Sequence, residues 1–165
     1  FFMQKGGVSM YLLAKDTVNG AEGKVFVTRD GKQIEVAGMM NITTYADIQG
    51  KEMRVVGTRT IQNKANGAKQ TGKGNIYYGT SLWTDMVLEY INTGNMPQFD
   101  LQITNDDPSS SVGSQSIAYY GCELTGSIPL SILDSEEAML NYEFNFTYTR
   151  VAKLRGFNEP ASYGG

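Results

Sequence analysis

Histidine is missing from all 165 residues, and with it go the commonest general base, the commonest metal ligand and any Ser-His-Asp or Cys-His relay. The single cysteine, Cys122, cannot complete an ordinary zinc site or an internal disulfide. In its strand-like run it reads as a small core residue of a reduced, intracellular chain. The nearest approach to a nucleotide motif is Gly67-Ala68-Lys69-Gln70-Thr71-Gly72-Lys73-Gly74. It keeps the spacing of a phosphate-binding loop as far as Lys73, after which Ser or Thr must hold magnesium and a helix must aim its dipole at the phosphate. Gly74 stands there instead, and Ile76-Tyr77-Tyr78 is strand-like, so no nucleotide cofactor is expected. The carboxylate pairs Asp106-Asp107 and Glu136-Glu137 could share acid and base roles in a hydrolysis. Neighbours on a strand point to opposite faces, however. Asp106-Asp107-Pro108 reads more simply as a turn initiator, and Asp134 to Glu137 as a solvated turn. No catalytic, metal-binding or cofactor-binding residue is assigned, and the chain is not expected to be an enzyme.

The elements that position these residues are mostly strands. Leu140, Tyr142, Phe144, Phe146 and Tyr148 alternate with Asn141, Glu143, Asn145, Thr147 and Thr149, which gives one apolar and one polar face. Weaker alternation predicts strands over Ile34–Ala46, with Ile34, Val36, Met40 and Ile42 on one face, over Met53–Ile61, and around Phe99, Leu101 and Ile103. Asp30-Gly31 predicts a tight hairpin turn between Val25-Phe26-Val27 and Ile34-Glu35-Val36, because glycine accepts the positive φ such turns require. One helix is legible: Leu82, Trp83, Met86, Val87, Tyr90 and Ile91 fall on one stripe, with Ser81 placed to cap it and Gly94 to end it. Gln62–Gly74 and Asn105–Gln115 are rich in breakers and are expected to be loops that pack no core. A lone amphipathic helix among about seven strands predicts an α+β, mainly β subunit: a two-sheet β-sandwich or barrel with one flanking α-helix.

Size and charge limit the remaining function classes. A chain of 165 residues and 18.1 kDa fits one domain. A net charge of −3 with a pI of about 5.0 provides no cationic surplus for tight nucleic-acid binding. No window approaches the roughly 18 consecutive apolar residues of a membrane helix, so no membrane anchor is expected. Lys5-Gly6-Gly7 can be the translation of a purine-rich ribosome-binding site just upstream of Met10. Residues 1–9 are therefore read as an upstream extension, or else a disordered arm, 10–157 as the domain and 158–165 as a tail.

Several short motifs in a fixed order resemble one family. Asp16-Thr17-Val18-Asn19-Gly20-Ala21-Glu22-Gly23 leading into Lys24-Val25-Phe26 looks like the opening of the tail tube proteins of the PBSX-like family, from defective contractile prophages of Gram-positive bacteria. Gly57-Thr58-Arg59, Gly72-Lys73-Gly74 and the helix closing on Thr93-Gly94-Asn95-Met96-Pro97-Gln98-Phe99 follow in similar order. Asn105-Asp106-Asp107-Pro108 and Phe144-Asn145-Phe146 complete the resemblance over about Met10–Phe157. It implies hexameric rings whose inner strands join into a continuous β-barrel, stacked into the tube of a contractile phage tail, a tailocin or another phage-like particle. The implied partners are other copies of the chain, the tail sheath protein, and the baseplate tube-initiator and tail terminator proteins. DNA would pass without specific binding. The implied location is the virion tail, assembled in the host bacterial cytoplasm. The alternative is a β-sandwich binding module of adhesin or carbohydrate-binding type, which would need an exposed aromatic platform.

Two surfaces are assigned on that basis. A turn of Tyr45, Ala46, Asp47, Ile48, Gln49 and Gly50 between two long strands is expected to contact the next ring, since Tyr45 and Ile48 would otherwise face water. The polar faces of the strands Glu52–Thr60 and Gln98–Gln102, namely Glu52, Arg54, Thr58, Thr60, Gln98, Asp100 and Gln102, are expected to line the lumen. Arg54 and Arg59 are expected to pair with carboxylates of the same or a neighbouring copy, because a neutral-to-acidic wall lets DNA slip where a basic one grips it.

Overall fold

The computed structural model describes residues 13–158. The readings of residues 1–9, of Met10 as a start and of the tail beyond Asn158 lie outside the described residues. Among the described residues, after a single 3-10 turn at Ala14–Asp16, eight strands and one α-helix follow in the order β1 (Gly23–Arg29), β2 (Lys32–Glu35), β3 (Met39–Met53), β4 (Gln62–Tyr77), α1 (Leu82–Thr93), β5 (Phe99–Asp106), β6 (Ser114–Thr125), β7 (Asn141–Thr147) and β8 (Arg150–Arg155). Hydrogen bonding links them along one antiparallel path, β2-β1-β5-β6-β7-β4-β3, with β8 also on β6. The mainly β class with a lone helix is as expected, and the chain divides into two compact units.

The first unit holds β1, β2, β5, the first part of β6, and β8. Its hairpin forms where the sequence places it: Asp30 and Gly31 both take positive φ, 53° and 76°, and Arg29 faces Lys32 across the turn. Val25 and Val27 of β1 and Phe99 and Leu101 of β5 are buried at alternate positions. Arg150 of β8 lies over the Tyr120 ring at 4.1 Å. The breaker-rich stretch after β5 packs more than its composition suggests. Val112 is 4% exposed and its carbonyl accepts the Asn158 amide at 2.7 Å.

The second unit holds β3, β4, α1, the end of β6, and β7. Tyr142, Phe144 and Phe146 of β7 and the following Tyr148 are all buried, so the alternation of the last strand reads directly into the core. Trp83 of α1 stacks on Phe144 with centroids 4.7 Å apart and 20° between planes, and Phe144 on Phe146 at 6.0 Å. Each fully buried large side chain of this kind contributes about 1.5–3 kcal/mol. Gly94 ends the helix in the left-handed conformation, φ 78°. The expected Ser81 cap does not form. The Thr80 hydroxyl accepts the Leu82 amide instead, at 3.3 Å. The helix stripe also buries less than its spacing suggests, since Tyr90 and Ile91 are 50% and 61% exposed.

Four assignments of the sequence reading differ from the structure. Ile34–Ala46 is two strands, β2 and β3, separated by a turn with Gly38 at φ 83°. The supposed turn Tyr45–Gly50 lies inside β3, and the supposed strand Met53–Ile61 is mostly the connection between β3 and β4. The supposed loop Gln62–Gly74 is strand β4, paired with β3 from Met53↔Gln62 to Met39↔Ile76. Lys73 and Gly74 of the phosphate-loop-like motif therefore lie in the middle of a sheet. A Cβ on Gly74 would come within 2.8 Å of the Asn41 carbonyl oxygen and 3.1 Å of the Phe144 ring. Those glycines admit aromatic side chains and a neighbouring strand.

Candidate assembly surface

The β3–β4 hairpin holds the two longest strands among the described residues. Its strands run 15 and 16 residues, about 50 Å at the usual rise per residue. The base of the hairpin is held by β7, which pairs with β4 from Thr71↔Thr147 to Tyr77↔Asn141. The Tyr148 hydroxyl donates to the Tyr45 carbonyl at 2.9 Å. Beyond that point the second face is lost. Every residue from Tyr45 to Lys69 is exposed, although β3 and β4 remain paired across the register shift at Gln49/Gly50. The arm ends in the connection 54–61, where Thr58 Oγ1 accepts the Thr60 amide at 3.1 Å.

All six expected contact residues, Tyr45 to Gly50, thus sit on the lower shaft of the arm in place of a turn. Tyr45 and Ile48 are exposed as anticipated, at 47% and 63%. Sequence reading missed their companions Met53, Val55, Val56 and Ile61 around the tip, of which Val56 is fully exposed. Their signal was present, but it was spent on a strand that does not form.

The expected lumen residues separate into two groups. Glu52 is the penultimate residue of β3, and Arg54, Thr58 and Thr60 belong to the tip, so no Glu52–Thr60 strand carries them. Asp100 and Gln102 do alternate with the buried Phe99 and Leu101 on β5, and Gln102 Nε2 donates to Ser116 Oγ at 2.9 Å. Gln98 Nε2 donates to Glu123 Oε1 at 3.2 Å. Arg54 and Arg59 have no carboxylate within ion-pair distance among the described residues.

Elsewhere in the second unit an apolar groove of about 480 Å³ is lined by Val87, Tyr90, Ile91, Leu124, Ile128 and Leu130, among others. Among the described residues no three His, Cys, Asp or Glu side chains converge on a metal site. No described helix is long and apolar enough to cross a membrane.

A family model described as "Phage tail tube protein" matches residues 10–154. The chain is 30% identical over 139 residues to the phage-like element PBSX protein XkdM of Bacillus subtilis strain 168, covering 84% of this chain and 91% of that protein. Among solved structures, the tube-terminating cap of the anti-feeding prophage aligns with a TM-score of 0.59 at 13% identity, over 93% of this chain and 100% of that one. The sheath-tube complex of an extracellular contractile injection system, PVC, in its extended state gives 0.57 at 12% identity, over 87% and 94%. At such identities the structural likeness is one of fold.

Proposed function

The chain belongs to the phage tail tube protein family, and on that premise we propose that the β3–β4 arm joins each ring of subunits to the next. The protein is a structural subunit of the inner tube of a contractile tail or phage-tail-like particle. One observation carries the role of the arm: from Tyr45 to Lys69 a two-stranded hairpin stands with both faces in water. Such a ribbon is marginal alone, and its Tyr45, Ile48, Val55 and Val56 side chains lose apolar surface to solvent unless a partner covers them. Repeated head-to-tail contacts between identical copies provide that partner at every position but the ends.

The closed ring serves the rest of the fold in the same way. Outer strands leave amides and carbonyls that pair only when a neighbouring copy adds its own edge. Six copies closing in this manner give a channel, and the polar face of β5 with Asp100 and Gln102 is proposed to line it. Sheath on the outer wall and initiator and terminator proteins at the two ends complete the assembly, without catalysis by the tube subunit and with assembly in the bacterial cytoplasm. Negative-stain electron microscopy of the purified chain tests the reading. Smooth hollow tubes support it, whereas monodisperse monomers at every salt and protein concentration tried would sink it. An inner-surface map of such tubes with Asp100 and Gln102 away from the channel would remove the lumen assignment alone.

A further inference from the structure

The charges of this chain are unevenly shared. Residues 39–77, the whole β3–β4 hairpin, contain six cations (Lys51, Arg54, Arg59, Lys64, Lys69, Lys73) against two carboxylates (Asp47, Glu52). The hairpin therefore carries +4 in a chain whose total is −3, which leaves −7 on the remainder. Lys51 and Lys64 stand directly opposite each other in the β3–β4 register, both exposed. Like charges in that position repel and weaken the ribbon they sit on. No cation of the arm reaches a carboxylate within ion-pair distance among the described residues.

The opposite pattern occurs between β6 and β7. Residues 126–140 hold Asp134, Glu136 and Glu137, all exposed, and no lysine or arginine. Leu133, in the same stretch, is fully exposed and Met139 is 65% exposed. Ile128 and Leu130 at its start line the apolar groove beside α1.

We propose that the cationic arm of one copy seats on residues 126–140 of a second copy, Lys51 and Lys64 meeting the carboxylates while Val55 and Val56 meet exposed apolar side chains. The inference rests on the arm being the stacking element and adds its receptor and its specificity. The projecting part, Tyr45–Lys69, holds five of those cations against both carboxylates, a net +3. Such an arm repels another arm and is attracted by the acidic stretch, so head-to-tail addition is favoured over head-to-head and the tube acquires one polarity. Nucleic acid is the other polyanion such an arm could meet. The apolar residues interleaved with the cations favour protein, since phosphates offer Ile48, Met53, Val55, Val56 and Ile61 nothing to bury against.

Charge exchange tests the pairing on the full chain. Lys51→Glu/Lys64→Glu and Glu136→Lys/Glu137→Lys each place like charges at the proposed contact, and each should reduce pelletable tube by about tenfold or more at low salt. All four substitutions on one chain restore opposite charges and should recover most of the tube. Wild-type assembly should also fall as salt is raised through the range where exposed charges are screened. If both double variants assemble like wild type, or the fourfold variant stays as defective as either, the proposed receptor is wrong while the tube function stands. Retarded migration of single-stranded DNA by the wild-type arm but not by Lys51→Glu/Lys64→Glu, with tubes unaffected, would transfer the arm to nucleic acid and overturn the proposal. A wild-type chain that forms no oligomer of any kind refutes the tube reading itself, a result distinct from either of these.

Discussion

The Phe146 ring occupies the place where Gly72 would carry a side chain. A Cβ built on Gly72 collides with Phe146 Cζ and lies 2.8 Å from its Cε1 and Cε2. The two residues are directly paired across β4 and β7. What resembled a nucleotide-binding glycine is the recess that lets a fully buried aromatic lie flat on the neighbouring strand.

Gly72→Ala should accordingly destabilise the subunit by about 1–3 kcal/mol, the usual range for overpacking a filled core. Thermal or urea unfolding of the single variant measures it, and adding Phe146→Leu tests the cause. If the second substitution recovers none of the loss, the collision is not the reason for the glycine.

Tyr142 has a buried hydroxyl with no hydrogen-bond partner among the described residues. Tyr142→Phe should therefore be neutral or stabilising by up to about 1–2 kcal/mol, since it removes an unsatisfied polar group. Burial, with the nearby Tyr78 adding to it, raises the Tyr142 hydroxyl above its ordinary 10.0. A raised folded-state value means that the contribution is intact below pH 10 and is lost as pH climbs above it. The alkaline fall in melting temperature should be shallower in Tyr142→Phe than in wild type, and equal slopes would contradict the assignment.

Asp107 behaves in the opposite sense. Its carboxylate accepts the Ser109 hydroxyl at 2.7 Å, the Asn19 amide at 2.9 Å and the Ser109 amide at 3.0 Å. These bonds, the Ser109 hydroxyl foremost, hold it below the ordinary 3.8 against the opposing effect of burial. The stabilisation is present above that value and disappears as pH falls below it. Asp107→Ala should lower the melting temperature at pH 7, and the gap to wild type should close as acid is added. A gap that stays constant down to the acid limit of folding would show that ionisation of Asp107 is not what stabilises the turn.

On the arm, Tyr45→Ser with Ile48→Ser should leave a subunit with an unchanged circular dichroism spectrum that no longer forms long tubes. The two side chains are 47% and 63% exposed, so the folded monomer loses little with them. The assembled tube, on the proposed reading, loses the burial of both, about 1.5–3 kcal/mol for each if fully covered. Tubes of wild-type length would remove these residues from the stacking contact.

What the sequence determined by itself was the part of the chain that packs against something within the same subunit. Tyr142, Phe144, Phe146 and Tyr148 alternate because one face of β7 is dry, and Trp83 and Met86 recur at helical spacing because one side of α1 is buried. Asp30-Gly31 announced its turn through backbone sterics alone. The arm was illegible for the converse reason. From Tyr45 to Lys69 neither face is covered within the subunit, so no apolar period of two distinguishes strand from loop, and apolar residues gather at the tip. Pairing with β7 at the base and with β3 along its length made a strand of the glycine-rich Gln62–Gly74. Only the tertiary structure could decide that, because the β7 strand that anchors the base lies about seventy residues further along the chain.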